Sequence, residues 1–405
     1  MNIIVVNDFA YVNGGAGQVA LNSAVALAQK GHQVILFTAV GPIASNLLEV
    51  GNLKVICLEQ HDILNDPNRF RAIFNGIWNF KAAAALKEIL NNLSRKDTVI
   101  HIHTCSKALS SSVVHLARKM NFKMIYHLHD YGCICPNLGL YNYPKQQKCK
   151  IKPLSLKCAL LNCDSRSYSH KVWRVLRQLA QVYCGGIPQK LSYFVAVSNF
   201  SLELFKPFLP ENAQVTLISN PILIEKKPPV SHSNDTFVFV GRLSKEKDPL
   251  TFAKAAQKLK IRAIFVGDGD CASEIIREYP EAVITGWVDL GKMQQYLREA
   301  TAIVFSSRLY ETQGLVVLEA AANGVPAIVA DNTAATDFII DGETGLIFKT
   351  GDVADLTAKI KLLMQDDLAA EMGLNAYRRF WENPPTLEQH VTELEKLYQA
   401  ILEIE

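Results

Sequence analysis

The chain lacks the long apolar run that a membrane span requires: no stretch approaches the roughly 20 uninterrupted apolar residues of a transmembrane helix. It also lacks the opening of a secreted protein. Met1-Asn-Ile-Ile-Val-Val-Asn-Asp8 has no basic start, extended hydrophobic segment or small-residue cleavage site, and reads as a core strand followed by an acid. These absences place the chain, as an expectation, in the cytosol. No low-complexity tract and no internal repeat occurs, which excludes disordered and solenoid architectures. No nucleic-acid recognition module is present, so nucleic acid is not an expected partner. The nine cysteines lack the paired two-residue gaps of common zinc and iron–sulfur sites. Disulfides are disfavoured in a reducing compartment.

What is present is a globular composition over 405 residues, long enough for two α/β domains with large cores. The net charge of +3 hides a split: residues 1–220 carry 23 Lys+Arg against 11 Asp+Glu, whereas the remainder carries 19 against 28. The basic excess is densest from Lys145 to Lys190, where Asp164 is the only acid. An anionic membrane surface or a phosphate-bearing acceptor fits that excess, and so does a solvated basic face.

Strand and helix alternate through the first half. Apolar runs at Ile3–Val6, Val34–Phe37, Val55–Leu58, Val99–His103, Lys123–His127, Tyr193–Val197 and Val215–Ile218 predict strands. Helices are expected at Gly17–Lys30 and, as one or two, over Phe70–Leu90. Pro221 introduces Glu225-Lys-Lys-Pro-Pro-Val-Ser-His-Ser-Asn234, whose prolines, charges and small polar residues predict a linker. The rhythm restarts with strands at Thr236–Val240, Arg262–Val266, Val283–Thr285, Ala302–Phe305 and Ala327–Val329. Helices at Pro249–Leu259, Lys292–Ala300 and Leu315–Ala322 separate them. The expected fold is α/β, with two Rossmann-like doubly wound parallel-sheet domains facing across a cleft. The domains span 1–222, with a cysteine-rich basic insertion over about 131–190, and 236–385, joined by a linker at 223–235. An amphipathic helix in 386–405 is expected to return to the first domain.

The most informative stretch is Phe305-Ser-Ser-Arg-Leu-Tyr-Glu311-Thr-Gln-Gly314-Leu-Val-Val-Leu-Glu319. It predicts a buried strand, a polar loop and a helix. Gly314 stands at the helix start, where free N–H groups and the positive end of the dipole suit an anion. Glu319 interrupts an apolar run, where an isolated charge is costly unless partnered. A diphosphate at the helix start, flanked by two carboxylates that grip sugar hydroxyls, is the pattern of a nucleotide-sugar site. Gly241-Arg242-Leu-Ser-Lys-Glu-Lys247 follows the first strand of the second half. The planar fork of Arg242 and the mobile charge of Lys247 suit a diphosphate and would stabilise its departure. Trp287-Val288, at the end of another strand, offers backbone contacts to a base.

Asp268 and Asp270 invite a magnesium reading, but Gly267 and Gly269 between them favour a tight turn. Gly14-Gly15-Ala-Gly17 is a weak dinucleotide fingerprint. The loop Asp8–Asn13 and the missing ribose-binding acid after Thr38 argue against NAD, while the glycines still suit phosphate or close substrate approach. His127, His129, His101 and His103 stand near strand ends without the carboxylate-bearing helix motif of a zinc enzyme. His129, beside Asp130, reads as a polar contact to a sugar; His101 and His103 read as satisfied structural residues. Cys135, Cys149, Cys158 and Cys163 leave a metal-stapled insertion open. Lys171-Val-Trp-Arg-Val-Leu-Arg-Gln-Leu179 predicts a basic, aromatic-bearing helix that rests on a membrane or packs on the core.

With these residues assembled, the chain resembles the retaining two-domain glycosyltransferases of family 4, the "group 1" type with the GT-B fold. The resemblance covers nearly the whole chain and is strongest from Thr236 to Phe348. It is carried by Gly14–Gly17, His129-Asp130, Ala196-Val-Ser198, Ser219-Asn220-Pro221, Gly241-Arg242-Leu243, the Glu311–Glu319 block and Asp341-Gly342-Glu-Thr-Gly345. It implies that Glu319 holds ribose hydroxyls and Glu311 meets the transferred sugar. It further implies that Arg242 and Lys247 bind the diphosphate and that amides at Gln313, Gly314 and Leu315 assist. Gly15, Gly17 and Val288 complete the expected donor contacts, and His129 lies near the sugar. Glu311, His129, Arg242 and Lys247 are thus the expected catalytic group, with no metal and no further cofactor. The implied reaction moves a sugar with retained configuration from a nucleoside-diphosphate donor to a hydroxyl of a glycan or lipid-linked acceptor, in cell-envelope or exopolysaccharide synthesis. A UDP-sugar is the favoured donor and GDP-mannose the second, and a peripheral position at the inner face of the plasma membrane is compatible with the basic half. A non-catalytic nucleotide-sugar or glycan sensor and a nucleotide-sugar epimerase are the alternatives on the same scaffold. The chain departs from the family in reading Thr333-Ala-Ala-Thr-Asp337 where glycine and glutamate are frequent. It also has Glu311-Thr-Gln-Gly314 in place of Glu-Gly-Phe-Gly. Both departures bear on the donor sugar.

Overall fold

The computed structural model describes residues 1–230, 235–365 and 367–404. The last four residues of the Glu225–Asn234 segment therefore lie outside the described residues. The strands in chain order are β1 (Asn2–Val6), β2 (Gln33–Thr38), β3 (Leu53–Cys57), β4 (Thr98–Ile102), β5 (Lys123–His127), β6 (Tyr141–Asn142), β7 (Gln147–Lys148), β8 (Tyr193–Ala196) and β9 (Gln214–Leu217). The second half supplies β10 (Thr236–Val240), β11 (Arg262–Val266), β12 (Val283–Gly286), β13 (Ala302–Phe305), β14 (Ala327–Ala330) and β15 (Gly345–Phe348).

Two parallel sheets result, ordered β3-β2-β1-β4-β5-β8-β9 and β12-β11-β10-β13-β14-β15. Each begins at its centre and reverses direction, between β1 and β4 in the first and between β10 and β13 in the second. Such reversals leave a crevice beyond the strand C-termini, the place where open α/β sheets take ligands. Side chains alternate into two cores per sheet because the strand period is two. Ile4 and Val6 enter one core with Phe37, Ile100 and Phe194, while Ile3 and Val5 enter the other with Leu36, Val99 and Ile125. The second sheet divides likewise, Phe237 and Phe239 to one side and Val238 to the other.

The last helix, Leu387–Glu403, lies on the first domain against helix Gly15–Gln29, burying Val391, Leu394, Tyr398 and Ile401 in that domain's core. Ile222 N donates to Pro385 O at 3.0 Å, so the two chain crossings between the domains run side by side. Over Phe70–Leu90 there are two helices, Arg69–Ile77 and Phe80–Leu90, capped by Asn68 and Asn79.

The insertion carries the antiparallel ribbon β6–β7 and two helices, Leu156–Leu160 and Tyr168–Leu179. The second helix packs on Arg69–Ile77, where Trp173 Nε1 donates to Ile73 O at 3.2 Å. Gly76 is required there, since a Cβ would stand 2.6 Å from the Trp173 ring. Helix Tyr168–Leu179 buries Lys171, Arg177 and Gln178 and exposes Tyr168, Val172 and Leu176. Its charges face inward and its apolar stripe outward, the reverse of a basic solvated face.

Candidate active site

The site forms where loop 306–314 of the second domain meets the C-terminal ends of β5 and β8. Glu311 holds a left-handed backbone (φ 48°), a strained conformation for a non-glycine residue. Its strain is held by contacts on both sides. Tyr131 Oη donates to Glu311 O at 2.9 Å, Thr312 Oγ1 donates to His129 O at 2.8 Å, and Ser198 Oγ donates to Thr312 O at 2.6 Å.

The Glu311 carboxylate accepts from Lys247 Nζ at 2.5 Å and Ser307 Oγ at 2.6 Å. Burial alone would raise its pKa. The charge and hydrogen bond of Lys247, the Ser307 hydroxyl and the charge of Lys148 outweigh burial and hold it below the usual carboxylate range. Loop 242–248 is fastened to the same place, because Arg308 N donates to Glu246 O at 2.9 Å and Arg308 Nε pairs with Asp248 at 2.7 Å. Lys247 and Glu311, 64 residues apart, are thereby kept in register. Arg242 is exposed, and its guanidinium forms no hydrogen bond or ion pair among the described residues, which leaves it available to an anion.

Helix Leu315–Ala322 begins at Gly314 (φ 87°) without a side-chain cap, so its first amides are open. Glycine is needed twice over at this position. The conformation is left-handed, and a Cβ would lie 3.2 Å from Ala335 Cβ. Gln313 is buried; its Oε1 accepts from Asn220 N at 3.0 Å and its Nε2 has no partner. Glu319 is half-buried one turn further on, and burial raises its carboxyl to about 7. Val288 packs against the second domain's core.

Across the cleft, Gly14 (φ 82°) caps helix Gly15–Gln29; Gly15 is exposed with open space around its backbone, while Gly17 is buried against Asn7 and Tyr11. His129 Nε2 lies 2.8 Å from His103 Nδ1, and its ring stacks on His127 at 3.9 Å. Burial, with His390 nearby, lowers His129 to about 3, so it is neutral and serves as a hydrogen-bonding group. Asp130 turns away and accepts from Gly132 N at 2.7 Å.

His101, His103 and His127 have donor atoms within 4.8 Å of one another, the one group with metal-ligand spacing among the described residues. Tyr398 Oη lies 2.6 Å from His101 Nδ1, and His101 Nε2 lies 3.2 Å from His127 Nδ1. The reading of His101 and His103 as satisfied holds in full only for His101, because His103 Nε2 and His127 Nε2 are buried without partners. Burial above all, and then the neighbouring histidines, keep all three neutral. A divalent ion there would have no carboxylate to balance it, which is unfavourable in a buried site. The cysteines show no shared metal geometry: all are free, and the buried Lys171 Nζ sits 3.5 Å from Cys158 Sγ. At the other proposed metal position, a Cβ on Gly267 would collide with Gly241 O and one on Gly269 would stand 2.5 Å from Leu243 O, which explains the glycines around Asp268.

Two contributors escaped the sequence. Ser307 is an ordinary loop serine until the fold turns it on Glu311. Lys148, on β7 of the insertion, lies over the Tyr310 ring at 4.6 Å and donates to Asn332 O. Its pKa falls to about 8 by burial, against the pull of Asp331 and Glu311. The charge density of the insertion was the only signal for it.

The two sheets, the open helix start and the acid pair define a GT-B glycosyltransferase architecture. The chain belongs to the family 4, group 1 glycosyltransferases: the Glycosyltransferase Family 4 model matches residues 13–226 and the Glycosyl transferases group 1 model residues 234–366. It is 27% identical over 292 residues to a 2-deoxystreptamine N-acetyl-D-glucosaminyltransferase of Niallia circulans, covering 64% of this chain and 72% of that one. It is 23% identical over 402 residues to a glycogen synthase of Mycobacterium tuberculosis, covering 91% and 86%. Among solved structures, sucrose-phosphate synthase from Thermosynechococcus elongatus superposes with a TM-score of 0.74 at 18% identity over the full length of both chains. Anabaena Alr3699/HepE in complex with UDP and glucose gives 0.69 at 16%, covering 99% and 100%. At these identities the structural likeness concerns the fold.

Proposed function

We propose that this glycosyltransferase is retaining and moves a sugar from a nucleoside-diphosphate donor, UDP-sugar before GDP-mannose, to a hydroxyl of a glycan or lipid-linked acceptor in envelope or exopolysaccharide synthesis. The observation that carries the proposal is the Lys247–Glu311 pair beside the open start of helix Leu315–Ala322, with Glu319 one turn beyond. Arg242, Lys247 and the helix amides take the diphosphate, and Glu319 takes the ribose hydroxyls. The bond from the anomeric carbon to the diphosphate oxygen breaks heterolytically, the electron pair leaving with the diphosphate. The acceptor oxygen attacks the same face, and its proton passes to the departing phosphate oxygen. Glu311 and the neutral His129 orient the sugar. No cofactor enters this scheme. HepE, which binds UDP and glucose, supports the UDP preference by analogy.

Titration of the purified protein with UDP, GDP and ADP tests this reading. The expected result is selective UDP binding, weakened about tenfold or more in Glu319→Ala. Glu311→Ala is expected to bind UDP normally and lose most turnover. No binding of any nucleotide would leave the non-catalytic sensor as the better description.

A further inference from the structure

The first domain carries a groove of about 390 Å³ that the donor site does not use. It runs between helix Arg69–Ile77, the inverted helix Tyr168–Leu179 and the start of the glycine loop at Asn13. Arg177 lines it and is buried. Its guanidinium donates to Ser106 O and Pro136 O at 3.2 Å, pairs with no carboxylate, and leaves Nε without a partner. Asp8 and Asp130 bear on it through their charges and it lies over the Trp173 ring at 5.3 Å, but neither carboxylate hydrogen-bonds it, which leaves direct pairing to an incoming anion. Arg69, Lys107 and Arg166 also line the groove. Asp62 is its one acid, and that carboxylate is already committed to Leu64 N at 2.7 Å and to Asn65 N and Nδ2 at 3.2 and 2.7 Å.

Phe9, Ile63, Leu64, Ile73, Leu138 and Trp173 give the wall a large apolar part. Outside it the same two helices expose Phe70 (78%), Phe74 (68%) and Leu176 (51%). A free phosphate or a soluble sugar phosphate would satisfy Arg177 and leave these surfaces in water. A phosphate carried on a hydrocarbon chain satisfies both.

The groove also points at the reaction. Lys107 Nζ lies 3.5 Å from Asn13 Oδ1, beside the glycine loop, and Arg177 is close enough to Asp130, next to His129, to feel its charge.

We infer that this groove is the lipid subsite of the acceptor site: it holds the phosphate of a lipid-linked acceptor at Arg177 and the chain along Ile73 and Trp173 towards the exposed phenylalanines, and the hydroxyl that takes the sugar lies on the headgroup beyond that phosphate. This rests on the glycosyl-transfer reading and names the acceptor class for it.

Farnesyl phosphate, below its micelle concentration, is the probe, followed by tryptophan fluorescence of the full chain, with farnesol and inorganic phosphate as controls. Farnesyl phosphate is expected to bind at least about tenfold more tightly than either control. Arg177→Gln is expected to weaken it by a similar factor. Because Arg177 also holds two carbonyls, Ser169→Glu at the exposed lip of the groove supplies a second variant that leaves those contacts alone. It is expected to weaken farnesyl phosphate while UDP binding, measured on the same samples, is unchanged. Equal binding of inorganic phosphate would overturn the proposal in favour of a soluble anion. Equal binding of farnesol would overturn the anion site, and unchanged affinity in Ser169→Glu would place the lipid elsewhere. Loss of UDP binding in the parent protein with farnesyl phosphate still bound would overturn the donor reading and leave the lipid-phosphate site standing.

Discussion

Glu319 stands in a helix of the second domain with no cation beside it, and burial alone lifts its pKa to about 7. The sign follows from linkage. Its folded pKa lies above the ordinary glutamate value of about 4.5, so the folded chain holds a proton that the unfolded chain gives up across that window. The empty protein therefore loses stability as pH rises from about 4.5 towards 7 through this group. Ribose hydroxyls donate best to the ionised carboxylate, so UDP affinity is expected to rise with pH through about 7. Titrations at pH 6 to 8 of the parent and Glu319→Gln check this. The step belonging to Glu319 disappears in the variant, while any step from the diphosphate itself remains in both. An identical profile in the two proteins would remove Glu319 from the nucleotide site. At this scale the Glu311–Glu319 spacing was legible because a charge inside an apolar helix stands out. Ser307 and Lys148 were not legible, because only the fold brings them to Glu311.

The elements were legible where burial on both faces produces continuous apolar runs, as in β1, β4, β10 and β13. β15 was hidden because Gly345–Phe348 follows directly on the Asp341–Thr344 turn and offers too short a run. The insertion and its helix over Lys171–Leu179 were legible, but not the face that the helix buries. Helix Tyr168–Leu179 buries Lys171 and Arg177 and exposes Val172 and Leu176, contrary to ordinary patterning. The last helix shows how one polar contact can fix an otherwise apolar docking. Tyr398 is fully buried, and its hydroxyl meets His101 Nδ1 at 2.6 Å in the first domain. Tyr398→Phe keeps the packing and leaves His101 without that partner. Such a loss costs about 1–3 kcal/mol, to be read as a lower denaturation midpoint at unchanged slope. At the helix surface Glu395 meets Lys30 and His32 at 2.5 and 2.7 Å. Burial would raise its pKa, and these partners reverse that and lower it. The docking support from Glu395 is thus present above its unfolded value and lost as pH falls through its lower folded one.

At the scale of the whole molecule, the domains close through a few polar contacts concentrated on adjacent residues of one loop. Tyr131 reaches Glu311 O, while Thr312 bonds His129 O and accepts from Ser198. Phe200 N adds a bond to Asp337 Oδ2 at 2.9 Å. The strained backbone of Glu311 thus sits on the loop that carries the contacts between the domains, and opening of the cleft is expected to loosen it. Arg242 and Glu319, the proposed nucleotide contacts, both lie in the second domain, so nucleotide affinity is not expected to depend on closure. Turnover and nucleotide affinity are therefore expected to separate in Tyr131→Phe, which deletes a hydroxyl and keeps the ring stacked on Phe205. One net hydrogen bond is worth about 0.5–1.5 kcal/mol, so kcat is expected to fall about two- to tenfold while the Kd for UDP stays within error. Combining Tyr131→Phe with Thr312→Val should lower kcat further and enlarge the radius of gyration of the UDP-bound protein in solution scattering. A fall in UDP affinity matching the fall in kcat would show that the loop serves binding and not closure, and would separate Glu311 from the domain movement.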